Sequence, residues 1–140
     1  MYQRQVQKTI VNGTGTSQEF DAEDINQNNV MAVLSYFVIL FLIPLLAAPN
    51  SKFARFHANQ GLVLCILSVV SAIVIGIISA ILTALMFFSL SAAAIVGGLF
   101  GLIWAAYGIF VFVLAIMGIV NAAQGKAKEL PIIGKFKIIK

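Results

Sequence analysis

The only histidine in this 140-residue chain, His57, and its only cysteine, Cys65, lie eight positions apart in one apolar stretch. Eight residues of helix rise about 12 Å, too far for a thiol nucleophile and an imidazole base to share a proton. Carboxylates offer no alternative, because no acidic residue occurs between Asp24 and Glu129. Paired acid and base work, a carboxylate metal site and a proton relay through acids are therefore excluded from that interval. Gly13-Thr-Gly15 lacks the strand and helix that a phosphate loop requires. The expectation is a protein that is not an enzyme and holds no cofactor and no metal.

Concentrated polar chemistry remains in one place, Lys52-Phe-Ala-Arg-Phe-His-Ala-Asn-Gln-Gly61. On a wheel at 100° per residue, Lys52, Arg55 and Asn59 share one sector, and Phe53, Phe56, His57 and Gln60 the next. Two readings stand. As an interfacial anchor, Lys52 and Arg55 reach lipid headgroups while the Phe rings sit at the boundary. As a site, Lys52, Arg55, His57, Asn59 and Gln60 bind an anionic headgroup or another ligand, which would explain Asn and Gln, since anchoring does not need them.

The elements that must position this stretch are apolar helices. With 61% hydrophobic and 10% charged residues, the chain is far more apolar than a globular domain, where about half and a quarter are usual. It reads as one all-α integral membrane domain. Residues 30 to 48 carry no charge and approach the roughly 20 residues needed to cross a bilayer. They are expected to form a first transmembrane helix, bent near Pro44, with Ser51 the N-cap of the next element. Residues 61 to 120 also lack charge and contain one turn signal, Phe88-Ser-Leu-Ser91. Splitting there gives a second helix over about 52–88 and a third over 92–124, hence three spans. Four spans are the alternative and would need a turn near 80–83 or 97–101. Residues 1–24 read as a flexible polar arm without an apolar leader. Within it, Asp21-Ala-Glu-Asp24 suits either the start of a short helical lead-in or a plain solvated tail. Residues 25–124 form the membrane domain and 125–140 a basic tail.

Small residues recur along both long helices at spacings of three and four. Ala54, Ala58, Gly61, Cys65, Ser68, Ala72, Gly76, Ser79 and Thr83 form one stripe, and Gly97, Gly101, Ala105, Gly108, Ala115 and Ala122 another. Helices in lipid approach each other through such residues, so the stripes are expected to pack together. The alternatives are packing against a second copy, or a narrow polar track through Ser68, Ser79 and Thr83. Lys126, Lys128, Lys135, Lys137 and Lys140, interleaved with Ile, Leu and Phe, suit contact with anionic lipid rather than nucleic acid; a loosely ordered tail is the other reading. Three spans place these five with Lys52 and Arg55, seven of nine basic residues, on the cytoplasmic side and the N-terminus outside.

Asn29-Val-Met-Ala-Val-Leu-Ser-Tyr36, Leu42-Ile-Pro-Leu-Leu-Ala47, Phe53-Ala-Arg-Phe-His-Ala-Asn-Gln-Gly-Leu62 and Gly125-Lys-Ala-Lys-Glu-Leu-Pro-Ile-Ile-Gly134 resemble the small bacterial membrane proteins grouped with the chloroplast inner-envelope import channel component, the Tic twenty-like group. The resemblance covers nearly everything after residue 24, and Arg-Phe-His-Ala-Asn-Gln is its most specific part. It implies a bacterial inner-membrane protein of unknown function with relatives among magnetosome-membrane proteins. Some relatives carry an N-terminal zinc ribbon; no cysteine precedes Cys65 here, so no metal is implied. The expectation is a self-associating, non-enzymatic assembly or scaffold component, with a small channel, a protein-translocation component or a lipid- or small-molecule-binding transporter as alternatives.

Overall fold

The structure is a computed structural model that describes residues 20–87 and 89–139. The expected flexibility of residues 1–19 and the expected lipid contact of Lys140 lie outside the described residues. Four α-helices follow in order: α1 (Ala22–Leu34), α2 (Leu42–Ala47), α3 (Lys52–Leu85) and α4 (Leu90–Ala123), with a 3-10 helix, Val38–Phe41, between α1 and α2. Among the described residues there is no strand. The chain divides into two compact units, one built from residues up to Cys65 together with those from Leu114 onward, the other from Ile66–Val113.

The helix starts follow local chemistry. Asp21 caps α1 by accepting from the Glu23 N–H at 3.1 Å, so the acidic cluster opens a helical lead-in. Ser51 caps α3 as its residue type predicts, its hydroxyl accepting from the Ala54 N–H at 3.0 Å. Ser89 does the same for α4, accepting from the Ala92 N–H at 3.4 Å. The connection between α3 and α4 falls where Phe88-Ser-Leu-Ser91 placed it. Both helices run unbroken through 80–83 and 97–101, where a fourth span would need its turn. At 34 residues each, they extend roughly 50 Å, well beyond a hydrocarbon core of about 30 Å.

The first expected span does not form. Residues 30 to 48 are divided among the end of α1, the 3-10 helix and α2. Helix α1 stops because Ser35 turns its N–H onto Ala32 and its hydroxyl onto Met31, and Phe37 leaves helical geometry at φ −98°, ψ 83°. Pro44 cannot donate to Leu40, which leaves only the six-residue α2 beyond the break. Among the described residues, α3 and α4 are the two helices long and apolar enough to cross a membrane.

Phe20 packs edge-on against Phe53 and Phe56, and the Asp24 carboxylate accepts from the Phe53 N–H at 3.1 Å. Residues 20–24 therefore sit at the start of α3, on the same end of the unit as the tail, rather than across a span from it.

Among the described residues, the buried apolar side chains belong to the first unit, Phe20, Tyr36, Phe53, Leu64, Leu114, Leu130 and Ile133 among them. In Ile66–Val113 no described residue is fully buried. Ile73, Ile95, Leu102 and Phe112 are each more than half exposed, an apolar surface far larger than water tolerates. Within this unit the Tyr107 hydroxyl donates to the Leu67 carbonyl at 3.3 Å. The partly buried positions of its α3 segment are Leu67, Ser68, Ser71, Ile75, Ser79 and Leu82, followed by Met86 in the turn beyond.

Along the two small-residue stripes burial is uneven. Ala54, Ala58 and Gly61 are buried and Ser68 and Ser79 partly so, but Ala72, Gly76, Thr83, Gly97, Gly101, Ala105 and Gly108 are exposed. A Cβ added at Gly76, Gly97, Gly101 or Gly108 would meet nothing within 4 Å. A wheel holds one azimuth along the whole helix, whereas the neighbour changes along the axis: residues 20–47 and the tail cover the first turns of α3, and only α4 is available beyond. The partly buried positions there mix Ser68, Ser71 and Ser79 with Leu67, Ile75 and Leu82.

Candidate functional site

Helix α3 begins with side chains of opposite fates. Lys52 and Arg55 are exposed, whereas His57, Asn59 and Gln60 are buried. A buried polar group costs free energy unless it is paired, and the first unit supplies the partners from segments far away in sequence.

His57 bridges two of them. Its Nδ1 lies 2.8 Å from the Tyr36 hydroxyl and its Nε2 3.2 Å from the Lys126 carbonyl. A carbonyl only accepts, so Nε2 carries the proton, and Nδ1 of the neutral ring accepts from the Tyr36 O–H. Burial raises the Tyr36 phenol above its ordinary range, which keeps it a neutral donor. Phe53 and Phe56 pack edge-on to the imidazole at 4.8 and 5.1 Å between centroids. The Lys126 carbonyl is presented by the end of α4, where Gly125 adopts φ +68° and the N–H groups of Gly125 and Lys126 return to Ala122 and Asn121. This is a Schellman turn, and the left-handed residue at its corner is the glycine that such turns favour.

Asn59 and Gln60 fasten the tail. Asn59 donates from Nδ2 to the Phe136 carbonyl at 2.7 Å. Its Oδ1 accepts from the N–H groups of Ile138 and Ile139 at 2.6 and 2.8 Å. Gln60 Oε1 accepts from the Leu130 N–H at 2.8 Å. Between these anchors Ala127, Leu130 and Ile133 are buried, so the tail docks on the first unit rather than hanging loose. Its turn is tight: the Ile133 N–H reaches the Pro131 carbonyl at 2.7 Å around Ile132, whose φ of 69° is strained for a β-branched residue. Lys126, Lys128, Lys135 and Lys137 point outward.

Two close approaches complete the assembly. Gly61 lies against the Ser35 backbone carbonyl and Gly118 against the Tyr36 ring, with no room for a Cβ at either. Sequence reasoning missed Asp24, Ser35 and Tyr36 as partners of α3. The available signal was that His57, Asn59 and Gln60, at the edge of an uncharged run, had to be paired somewhere. The alternation Lys135-Phe-Lys-Ile138 was a hint that extended backbone was on offer.

The arrangement brings together Lys52, Arg55, Asn59, Gln60 and Lys137 around one cavity of about 300 Å³. His57 is engaged on both nitrogens away from it. Among the described residues no group of three His, Cys, Asp or Glu side chains could hold a metal ion.

Comparison with known proteins adds the following. The model of the magnetosome magnetite crystal formation protein family matches residues 27–137. Magnetosome protein MamF of Paramagnetospirillum magneticum is 35% identical over 107 residues, covering 76% of this chain and 79% of MamF. Magnetosome protein MmsF of the same organism is 31% identical over 107 residues, covering 76% and 82%. No solved structure matches. These similarities support the magnetosome part of the resemblance and lend nothing to its plastid import part.

Proposed function

The chain belongs to the magnetosome magnetite crystal formation protein family, and from that premise we propose that it is a non-enzymatic component of a magnetosome membrane that self-associates and serves crystal formation as an assembly or scaffold element. The observation that carries the self-association is the open small-residue face of Ile66–Val113. Gly97 and Gly101 line a cavity of about 300 Å³ together with Ser79, Thr83, Ala93 and Trp104, and their missing side chains leave open space. In lipid, helix association depends on close packing rather than on hydrophobicity. A helix of a second copy fits such a face. A polar track has less support, because the hydroxyls of Ser79 and Thr83 donate to the carbonyls of Ile75 and Ser79 on their own helix, at 2.7 and 2.8 Å.

The test is the mass of the full-length particle in mild detergent. We expect several copies per particle for the natural chain and fewer for Gly97→Leu/Gly101→Leu, with the first unit intact because both positions lie outside it and a Cβ at either meets nothing within 4 Å. A single-copy natural particle, or an unchanged mass in the variant, would sink the proposal.

By the positive-inside rule, Lys52, Arg55 and the tail face the cytoplasm. The Asp24 contact with α3 brings the N-terminal segment to that side too. Cysteines introduced as Asp21→Cys and Lys128→Cys, in a Cys65→Ser background, should both resist an impermeant maleimide in intact cells and both react after lysis. Labelling of only one of them in intact cells would contradict this orientation.

A further inference from the structure

We propose that Lys52, Arg55, Lys137 and Gln60 form a binding pocket for a phosphate group, of which the headgroup of an anionic phospholipid is the source that the walls fit best. The pocket is the 300 Å³ cavity at the start of α3; Phe56 and Ile139 complete its walls, and no acidic side chain lines it.

Arg55 and Lys137 share this pocket with Lys52, which on its other side borders Asp21, Glu23 and Asp24; like charges brought together repel, and an anion among them relieves that repulsion. Lys52 and Arg55 also stand in the first turn of α3, the end at which the helix dipole disfavours positive charge and favours a bound anion. The Asp24 carboxylate takes the Phe53 N–H on that turn, on the side of Lys52 away from the pocket, and a bound anion would face the basic groups from the other side.

Gln60 supplies the second, independent observation. Its Oε1 is committed to the Leu130 N–H, which fixes which way the amide faces, and its buried Nε2 has no acceptor among the described residues. A buried donor left unpaired is costly, and a ligand oxygen is the partner this residue lacks. Phosphate suits the set better than a carboxylate, because its several oxygens satisfy an Arg fork and two Lys ammonium groups together. The apolar walls of Phe56 and Ile139 match the glycerol and upper acyl region of a lipid, which free phosphate does not have.

Lys137 reaches the pocket only while Asn59 holds residues 136–139. Ligand binding and tail docking are therefore linked, and each stabilises the other. This inference is independent of self-association, since every group involved belongs to one chain.

The experiment uses the full-length protein in a zwitterionic detergent, observed by native mass spectrometry. Phosphatidylglycerol, phosphatidylcholine with the same acyl chains, and inorganic phosphate are each added separately. The natural protein should retain phosphatidylglycerol in preference to phosphatidylcholine. Arg55→Gln/Lys137→Gln should bind it about 30-fold more weakly, which is ~2 kcal/mol. Lys128→Gln/Lys135→Gln, which removes the same charge outside the pocket, should bind as the natural protein does. Tail proteolysis without lipid reports whether the first variant keeps its fold, and phosphatidylglycerol should slow that proteolysis in the natural protein and in the control but not in the pocket variant. Retention of inorganic phosphate without phosphatidylglycerol, lost in the pocket variant, would uphold the pocket and name the free anion as its source. Equal losses in the two variants, or no preference for either phosphate probe, would overturn the proposal.

Discussion

Asn59→Ala is expected to release the C-terminal tail, so that trypsin cuts at Lys135 and Lys137 roughly 30-fold faster, which is ~2 kcal/mol of lost docking. The side chain is 6% exposed and makes three hydrogen bonds with backbone groups of Phe136, Ile138 and Ile139. Alanine leaves all three groups unpaired at the surface of the first unit, where water recovers part of the loss. A net contribution of about 1 kcal/mol per bond, less that recovery, gives the stated figure. Cleavage tracks the open population when opening is fast relative to cutting. Leu130, held separately by Gln60, should stay docked, so the new cuts belong after residue 134. Unchanged protection of Lys135 and Lys137 would show that Asn59 does not hold the tail.

Gly61→Ala is expected to destabilise the first unit by about 3 kcal/mol or more, the upper range for overpacking, read as a lower midpoint of thermal unfolding in detergent. Alanine favours a helix over glycine by about 1 kcal/mol, so the sign depends on what the methyl group meets. Here it would fall on the Ser35 carbonyl, and both contacting groups are backbone that no rotamer can move aside. The steric term wins. Gly98→Ala is the matched comparison, in which the added Cβ meets nothing within 4 Å. Only the propensity term acts there, and stability should be unchanged or slightly higher. Equal midpoints for Gly61→Ala and the natural chain would mean that α3 does not pass this close to Ser35.

These two variants mark where sequence reasoning stopped. The Asn and Gln after His57 were recognisable as chemistry that an anchor does not need, yet the residue types left a binding site and an internal fastening equally open. Tertiary structure assigns Asn59 mainly to the tail and leaves Gln60 divided, one amide atom paired with Leu130 and the other without an acceptor. Gly61 was recognisable as small, but whether a small residue admits a neighbour or faces open lipid is invisible along one helix. The same stripe contains Gly61, packed against Ser35, and Gly76, with open space around it.

The first expected span failed for a related reason. An uncharged run of adequate length is a necessary condition for crossing a bilayer, not a sufficient one. Residues 35 and 36 are held by α3 and α4 through Gly61, His57 and Gly118, and those contacts require the chain to bend where hydropathy alone predicts it to continue.

By itself the sequence determined the lipid-compatible helices, the connection between them near residues 88–91 and the absence of carboxylate chemistry between residues 24 and 129. Each follows from local terms: apolar side chains in number, a cap at Ser51, a turn signal at Phe88-Ser-Leu-Ser91, and the types of residue present. Only the tertiary structure decided that Tyr36, His57 and Lys126 form one hydrogen-bonded chain, that Asn59 holds a segment nearly 80 positions away, and that Lys137 joins Lys52 and Arg55. Residue type states that a buried polar group needs a partner; which partner it finds depends on where the chain returns in space.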